Sequence, residues 1–193
     1  MTCTPDAIPK RKPSIALGLA IAAATLIALP SQALADDSGG IGPASGGAPA
    51  PTATTPGPKA KLVEGKAVAP ANAPPRVIEA IEAANSIEDK PYEYGGGHGS
   101  WIDEGYDCSG TVSFALGKYG AKILDAPMPS SGFMRWEEPG PGKWITTYAN
   151  GGHMYVVIAG LRFDTSQTPG DGPGWSKTKL KQRGYSVRHP AGF

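Results

Sequence analysis

The stretch Gly105-Tyr106-Asp107-Cys108-Ser109-Gly110 decides how the rest of the chain is interpreted. Asp107 is a suitable N-cap for a helix predicted from Cys108 to about Tyr119, with Gly120 as its left-handed stop. Four residues recur at helical spacing and form an apolar stripe along this helix: Cys108, Val112, Ala115 and Tyr119. The thiol therefore lies on the stripe in the first turn, where unpaired backbone N–H groups and the helix dipole favour a thiolate.

The negative charge of Asp107 opposes that effect by repulsion, so the sequence leaves the balance open. From the helix position alone, a reactive thiol and a buried cysteine that acts as a small hydrophobe are equally good interpretations of Cys108. Other parts of the chain are needed to choose between them.

The first 35 residues have the order of a secretory signal peptide. Lys10-Arg11-Lys12 precede an apolar run over 14–29, and Ala33-Leu34-Ala35 supplies small residues for cleavage. Cleavage after Ala35 is favoured over anchoring, because the run is alanine-rich and shorter than the roughly 20 apolar residues of a membrane span. Cys3 lies before the apolar run, where a lipoprotein would not be acylated, and it leaves with the signal.

Cys108 is then the only cysteine of the exported chain, which contains two before cleavage. Structural cysteines outside the cytoplasm normally occur in pairs. An unpaired one is therefore either a reactive thiol or an intermolecular link. We interpret it as a nucleophile.

Composition divides the exported chain into a linker and a domain. The chain has 27 glycines and 20 prolines, and residues 36–75 contain many of them but no aromatic residue and no sustained apolar period. Such a segment buries too little surface to offset its ordering entropy, so it is predicted to be a disordered linker. Residues 76–193 hold all four tryptophans and all seven tyrosines and are predicted to form one domain.

Charge and metal-ligand content exclude two classes of partner. The 18 basic and 17 acidic residues become 15 and 16 once Lys10, Arg11, Lys12 and Asp6 leave with the signal. Without a basic stripe, binding to nucleic acid is not expected. The three histidines are scattered along the chain, and no second cysteine remains, so no zinc site, metal or cofactor is expected. The chain is expected to act as a monomer.

The domain opens with a predicted helix, which is followed by a glycine-rich loop. Residues 76–85 form a short amphipathic helix entered through Pro74-Pro75. Three successive glycines in the loop Pro91-Tyr92-Glu93-Tyr94-Gly95-Gly96-Gly97-His98 let the backbone approach another segment closely. His98 in this loop is either a cleft residue or simply solvated. A Pro- and Gly-rich insert at 128–143 either walls the cleft or is a surface loop, and the surface loop is the default.

A β-hairpin follows His153, with strands predicted at 154–159 and 161–166. With a turn at Ala159-Gly160, the facing pairs are Ile158 with Leu161, Val156 with Phe163 and Met154 with Thr165. The other face then carries His153, Tyr155 and Asp164. In this register Asp164 is diagonal to His153, at roughly 7–8 Å between strands and within side-chain reach.

Two other registers of the hairpin have different consequences. A turn at Gly160-Leu161 keeps the same faces but moves Asp164 farther from His153. A slip by one residue turns Asp164 into the core. The match between apolar residues favours the first register. The chain then offers a thiol at a helix N-terminus, an imidazole beside a strand and a carboxylate on the next strand, which is the nucleophile, base and orienter set of thiol hydrolases.

Four motifs carry a family resemblance: PYEYGGGHG at 91–99, YDCSG at 106–110, GHMYVVIAG at 152–160 and RFDTS at 162–166. In this order they resemble the signatures of the NlpC-type cell-wall cysteine peptidases. The resemblance covers essentially residues 76–166. It implies a papain-like α+β fold with N-terminal helices packed on an antiparallel β-sheet.

The resemblance also implies roles for individual residues. Cys108 would be the nucleophile, His153 the general base, and Tyr92 would line the oxyanion site beside the Cys108 backbone N–H. Asp107 and Ser109 match positions that contact the free amine of a peptide stem in some members, and His98 is a further substrate-binding candidate.

Asp164 departs from the family, which more often has His, Asn or Gln as the third polar residue. A carboxylate would still accept from His Nδ1–H, and its full charge would stabilise the imidazolium of His153 more strongly.

The sequence therefore predicts a cysteine peptidase that is secreted, periplasmic or associated with the cell wall, without stable membrane insertion after signal cleavage. Its expected partner is a peptidoglycan stem peptide, with the γ-D-glutamyl to diamino-acid bond as the implied target. Three alternatives stay open: an N-acetylmuramoyl-L-alanine amidase, a thiol acyltransferase or toxin on the same fold, and a non-catalytic wall-binding module.

Overall fold

The structure, a computed structural model, describes residues 54–166, 172–177 and 182–193. The predicted signal peptide and the first part of the predicted linker lie outside these residues. The helices are α1 (Pro75–Ser86), α2 (Cys108–Leu116) and α3 (Ser130–Phe133). The strands are β1 (Thr54–Thr55), β2 (Lys61–Val63), β3 (Lys66–Pro70), β4 (Glu138–Pro139), β5 (Ile145–Ala149), β6 (Met154–Ile158), β7 (Leu161–Asp164), β8 (Gly174–Ser176) and β9 (Ser186–His189).

Within the described residues, the main sheet has six antiparallel strands in the order β4-β9-β5-β6-β7-β8. Alternate residues of β5, β6 and β7 face a core that they share with α1 and α2. In this core Met154, Val156 and Phe163 are fully buried beside Val112 of α2. Helix α2 packs against both β6 and β7. The predicted α+β class, with N-terminal helices on an antiparallel sheet, is confirmed.

The hairpin between β6 and β7 has the predicted register. Val156 pairs with Phe163, and Ile158 pairs with Leu161. The turn residues Ala159 and Gly160 have φ angles of +46° and +86°, which is the left-handed pair that a two-residue type I′ turn requires. Because side chains alternate along each strand, Asp164 lies on the same face as Tyr155.

The linker prediction is wrong for the part that the structure describes. Residues 54–70 contain a small sheet in which β3 pairs with β1 in parallel and with β2 in antiparallel orientation. The Asn85 side chain of α1 donates to the Ala67 carbonyl at 2.8 Å and accepts from the Ala67 N–H at 2.9 Å. The order of this part of the predicted linker thus comes from its hydrogen bonds to α1 and from the alanines that it adds to the core, which are Ala60, Ala67, Ala69 and Ala73.

Helix α1 begins at Pro75, as the two prolines predict. Helix α2 has the predicted N-cap, but it ends at Leu116 and not near Tyr119. Gly117 is its C-cap, and a side chain there would collide with the Trp101 ring. The predicted stop at Gly120 is wrong, because the backbone is already extended at Gly117, with a ψ of −153°, and Gly120 does not have the positive φ of a left-handed stop.

The insert at 128–143 is more than the surface loop that the sequence favours. It contains α3, whose Phe133 is fully buried. The Trp136 ring packs edge-on against Phe133 at 5.4 Å between ring centroids. These two aromatic residues extend the core along β5.

Among the described residues, no helix is long and apolar enough to cross a bilayer.

Candidate active site

The N-terminus of α2 is fixed by its cap and by the glycine loop. The Asp107 carboxylate accepts from the backbone N–H groups of Ser109 at 2.9 Å and Gly110 at 2.7 Å. The Asp107 N–H donates to the Gly96 carbonyl at 3.2 Å. A side chain at Gly110 would collide with that carbonyl, so a close approach of two backbones sets the position of the first turn of α2.

Cys108 is the first residue of α2 and is 3% exposed. In the structure its sulfur is disulfide-bonded. The predicted nucleophile is the thiol that reduction of this bond would leave.

His98 lies against the helix cap. Its Nε2 is 3.1 Å from Asp107 Oδ1 and 3.0 Å from Ser109 Oγ. The hydrogen bond with Asp107 raises the pKa of His98 above its usual value, although partial burial acts against it. Burial alone would raise the pKa of Asp107, but the hydrogen bonds from His98, Gly110 and Ser109 outweigh it and hold this pKa below the usual value. The three predicted substrate-binding residues thus form one hydrogen-bonded cluster.

Tyr92 lies beside the segment that leads into α2. It forms a β-bridge with Tyr106, and the Tyr106 N–H donates to the Pro91 carbonyl at 3.0 Å. The Tyr92 hydroxyl is buried and has no hydrogen-bond partner among the described residues. Burial, followed by the charge of Asp107, raises its pKa. This hydroxyl is therefore protonated and can donate a hydrogen bond, and no acceptor for it lies among the described residues.

His153 is held in place by the turn before β6. Its N–H donates to Asn150 Oδ1 at 2.9 Å, and the Asn150 N–H donates to the His153 carbonyl at 2.9 Å. Its Nε2 lies 2.9 Å from Asp164 Oδ1, and both side chains are almost completely buried. The structure thus brings together the imidazole and the carboxylate that the hairpin register predicts.

The ring atom in this contact differs from the expected one. The resemblance implied a bond from Nδ1, whereas Nε2 contacts Asp164. The Ser166 hydroxyl oxygen is also 3.3 Å from this Nε2 atom.

The net shift of the His153 pKa is downward, although a carboxylate is in contact with the ring. Asp164 was expected to stabilise the imidazolium, but the pKa of His153 is lowered from 6.5 to about 4. Burial is the largest cause, and the positive charge of Arg162 is the next. His153 is therefore a neutral imidazole at neutral pH, as a general base must be.

Two residues that the sequence did not single out complete the surroundings of Asp164. Arg162 is paired with the second carboxylate oxygen through its Nη2. The Ser166 N–H donates to Asp164 Oδ1 at 3.2 Å, and the Ser166 hydroxyl donates to Oδ2 at 3.1 Å. Strand alternation places Arg162 on the same face as Asp164. The sequence pattern could therefore have predicted that Arg162 lies beside Asp164.

The contact of α2 with β6 and β7 brings together the elements that carry the candidate residues. Cys108 begins α2, His153 immediately precedes β6, and Asp164 ends β7. A nucleophile, a neutral base and a buried carboxylate are the components of a thiol-dependent acyl transfer site.

No protein-family model and no curated relative match the chain. Similar solved structures include a variant of the resuscitation promoting factor interacting protein RipA, with 20% identity and a TM-score of 0.43 over 58% of this chain and 61% of that one. The peptidoglycan hydrolase RipB from Mycobacterium tuberculosis has 23% identity and a TM-score of 0.44 over 59% and 64% of the two chains. A hypothetical invasion protein of Mycobacterium tuberculosis has 21% identity and a TM-score of 0.41 over 58% and 61%. This chain thus spans less than two thirds of each solved chain.

Proposed function

We propose that the protein is an exported cysteine peptidase that hydrolyses an amide bond in peptidoglycan stem peptides. The observation that carries the proposal is the buried pair of His153 and Asp164 at 2.9 Å, on strands that pack against the helix beginning with Cys108. The order of motifs around these residues, which resembles the NlpC-type peptidases, supports the choice of substrate.

In the proposed reaction, His153 takes the proton of the Cys108 thiol as the sulfur attacks the amide carbonyl. The oxyanion of the tetrahedral intermediate accepts from the Cys108 backbone N–H and from the Tyr92 hydroxyl. The imidazolium of His153 then protonates the leaving amine, which gives a thioester and a free amine. Water, deprotonated by His153, hydrolyses the thioester and restores the thiol.

The cluster around the helix cap supports recognition of a positively charged amine. Asp107 Oδ1 is surrounded by donors from His98, Ser109 and Gly110. In contrast, within the described part of the chain Asp107 Oδ2 accepts one hydrogen bond, from the Gly95 N–H at 3.2 Å. An ionised carboxylate oxygen accepts more than one hydrogen bond. We therefore propose that Asp107 Oδ2 binds the free amine of the stem peptide. The bond that is cut is then the γ-D-glutamyl to diamino-acid bond, as the family resemblance implies.

Digestion of purified sacculi by residues 36–193 under reducing conditions tests the proposal, with products identified by mass spectrometry. We expect stem peptides that end at D-glutamate and fragments that begin with the diamino acid. Cys108→Ala should release nothing, while Ser100→Ala, in an exposed loop, serves as the matched control and should match the wild type.

Other products would replace the proposal with a defined alternative. Intact stem peptides freed from the sugar would identify an amidase, and a peptide transferred to a second amine would identify an acyltransferase. Sacculi that bind the protein but release nothing would identify a wall-binding module.

A further inference from the structure

Arg162 is a buried cation in the middle of β7. It pairs with Val157 of β6, and it precedes Asp164 by two residues, so both side chains lie on one face of the strand. Only 2% of Arg162 is exposed. A buried charge of this kind is costly unless it is compensated by a partner.

The guanidinium of Arg162 has partners on two sides. Its Nη2 pairs with the Asp164 carboxylate and donates to Ser166 Oγ at 3.1 Å. Its central carbon lies 4.5 Å from the centroid of the Tyr155 ring, within cation–π range. Tyr155 in turn stacks on Tyr148 of β5, with 4.7 Å between centroids and 7° between planes. The aromatic stack thus fixes the plane of the guanidinium that holds Asp164.

We propose that Arg162 is a positioning residue for the general base: it holds the Asp164 carboxylate in place and ionised, so that Asp164 orients a neutral His153. This inference rests on the proposed hydrolase function. Arg162 acts through Asp164 and is not assigned any contact with substrate.

The charges of the cluster explain why an arginine is needed. Among the described residues, the cations in direct contact with the buried Asp164 carboxylate are Arg162 and, when protonated, His153; without Arg162, the imidazole would be the group left in contact to compensate it. His153 would then retain a proton, and a protonated imidazole cannot accept one from a thiol. With Arg162 present, Asp164 is already compensated, so the imidazole stays neutral. The lowered pKa of His153, to which Arg162 contributes after burial, agrees with this.

Titratable groups from the neighbouring elements also face this cluster. They are Tyr148 on β5, Tyr155 on β6, Tyr185 before β9, and Lys59 and Lys177 on the cleft that Arg162 helps to line. Burial raises the pKa of both Tyr148 and Tyr155. Tyr148 and Tyr155 therefore stay neutral in the pH range where a histidine titrates, so they do not account for the lowered pKa of His153.

The first test measures the titration of His153 directly, by NMR of the imidazole in the full chain with Cys108→Ala. We expect Arg162→Gln to raise the pKa of His153 by about one unit or more, since loss of a nearby positive charge favours the imidazolium. Arg162→Lys, which keeps the charge, should stay close to the parent. This readout does not require catalysis, so it remains informative even if the proposed hydrolase function fails.

The second test measures kinetics of the full chain under reducing conditions, at matched folding by circular dichroism. A misplaced base costs up to about a hundredfold, so Arg162→Gln should lower kcat by about tenfold to a hundredfold with little change in KM. The acid limb of its pH–activity profile should also shift to higher pH, because His153 would be protonated at a higher pH than in the wild type. Because the proposed route runs through Asp164, Arg162→Gln with Asp164→Asn should be no slower than Asp164→Asn alone.

An unchanged pKa of His153 in a folded Arg162→Gln variant would overturn the inference, and so would strictly additive losses in the double variant. If Arg162→Gln does not fold, the kinetics and the melting temperature of Arg162→Lys are compared with those of the wild type instead. Because lysine keeps the charge but lacks the planar guanidinium, Arg162→Lys should lower kcat with little change in KM. A lowered melting temperature together with wild-type kcat would show that the arginine is merely structural and would overturn the inference.

Discussion

Buried neutral histidines make a protein less stable in acid, and His153 allows the effect to be calculated. Its pKa falls from 6.5 to about 4 in the folded protein, mainly because of burial and then because of Arg162. Between these two pH values the unfolded chain binds a proton at His153 that the folded chain does not bind. The free energy of unfolding therefore falls as the pH drops from about 6.5 to 4, and it is regained as the pH rises.

At 1.36 kcal/mol for each pH unit, this difference amounts to about 3 kcal/mol. The assay is urea unfolding of the full chain under reducing conditions at pH 7 and pH 4, for the wild type and His153→Asn. The wild type should lose about 3 kcal/mol more than the variant, which cannot take up the proton.

His98 contributes with the opposite sign, because its folded-state pKa is raised. Its contribution to stability is present at low pH and is lost as the pH rises through that pKa. Since His98 is present in both proteins, its contribution cancels in the comparison. Equal losses in the wild type and His153→Asn would refute the assignment of a neutral, buried His153.

Three further predictions concern single side chains. Asp164→Asn should lower kcat by up to about 10²–10⁴-fold while retaining some activity, since its amide oxygen can still accept from Nε2; steady-state kinetics with matched melting curves measure this, and wild-type kcat would remove Asp164 from the site. Tyr92→Phe should lower kcat by at least about tenfold without loss of stability, because the removed hydroxyl has no partner among the described residues; a lowered melting temperature would instead indicate a structural bond. Gly96→Ala should destabilise the fold by about 1–3 kcal/mol, because the new methyl group would collide with the Gly105 carbonyl, whereas Gly99→Ala meets no atom within 4 Å and serves as the matched control in the same unfolding assay.

The hairpin and the helix cap could be predicted because their signals are local. Apolar alternation and the pair Ala159-Gly160 fix the register of β6 and β7, and this register places Asp164 on the face of Tyr155. Asp107 as the N-cap follows from residue type and position alone.

Features that depend on distant partners could not be predicted. The strands between residues 54 and 70 are held by hydrogen bonds to Asn85 of α1. The composition of the segment itself gives no sign of these bonds. The absence of a side chain at Gly117, the C-cap of α2, matters because the distant Trp101 ring packs there. The lowered pKa of His153 comes from its burial and then from the charge of Arg162, which lies against an aromatic stack, and both are tertiary properties.

The central claim, a Cys108 nucleophile, is tested most directly by trapping its acyl-enzyme. Residues 36–193 are mixed with soluble stem peptide under reducing conditions, quenched in acid within the first turnover, and analysed by intact and peptide mass spectrometry. We predict an added mass equal to the acyl part of the peptide on the fragment that contains Cys108, and neither adduct nor product with Cys108→Ala. Hydrolysis by Cys108→Ala at the wild-type rate would contradict the account.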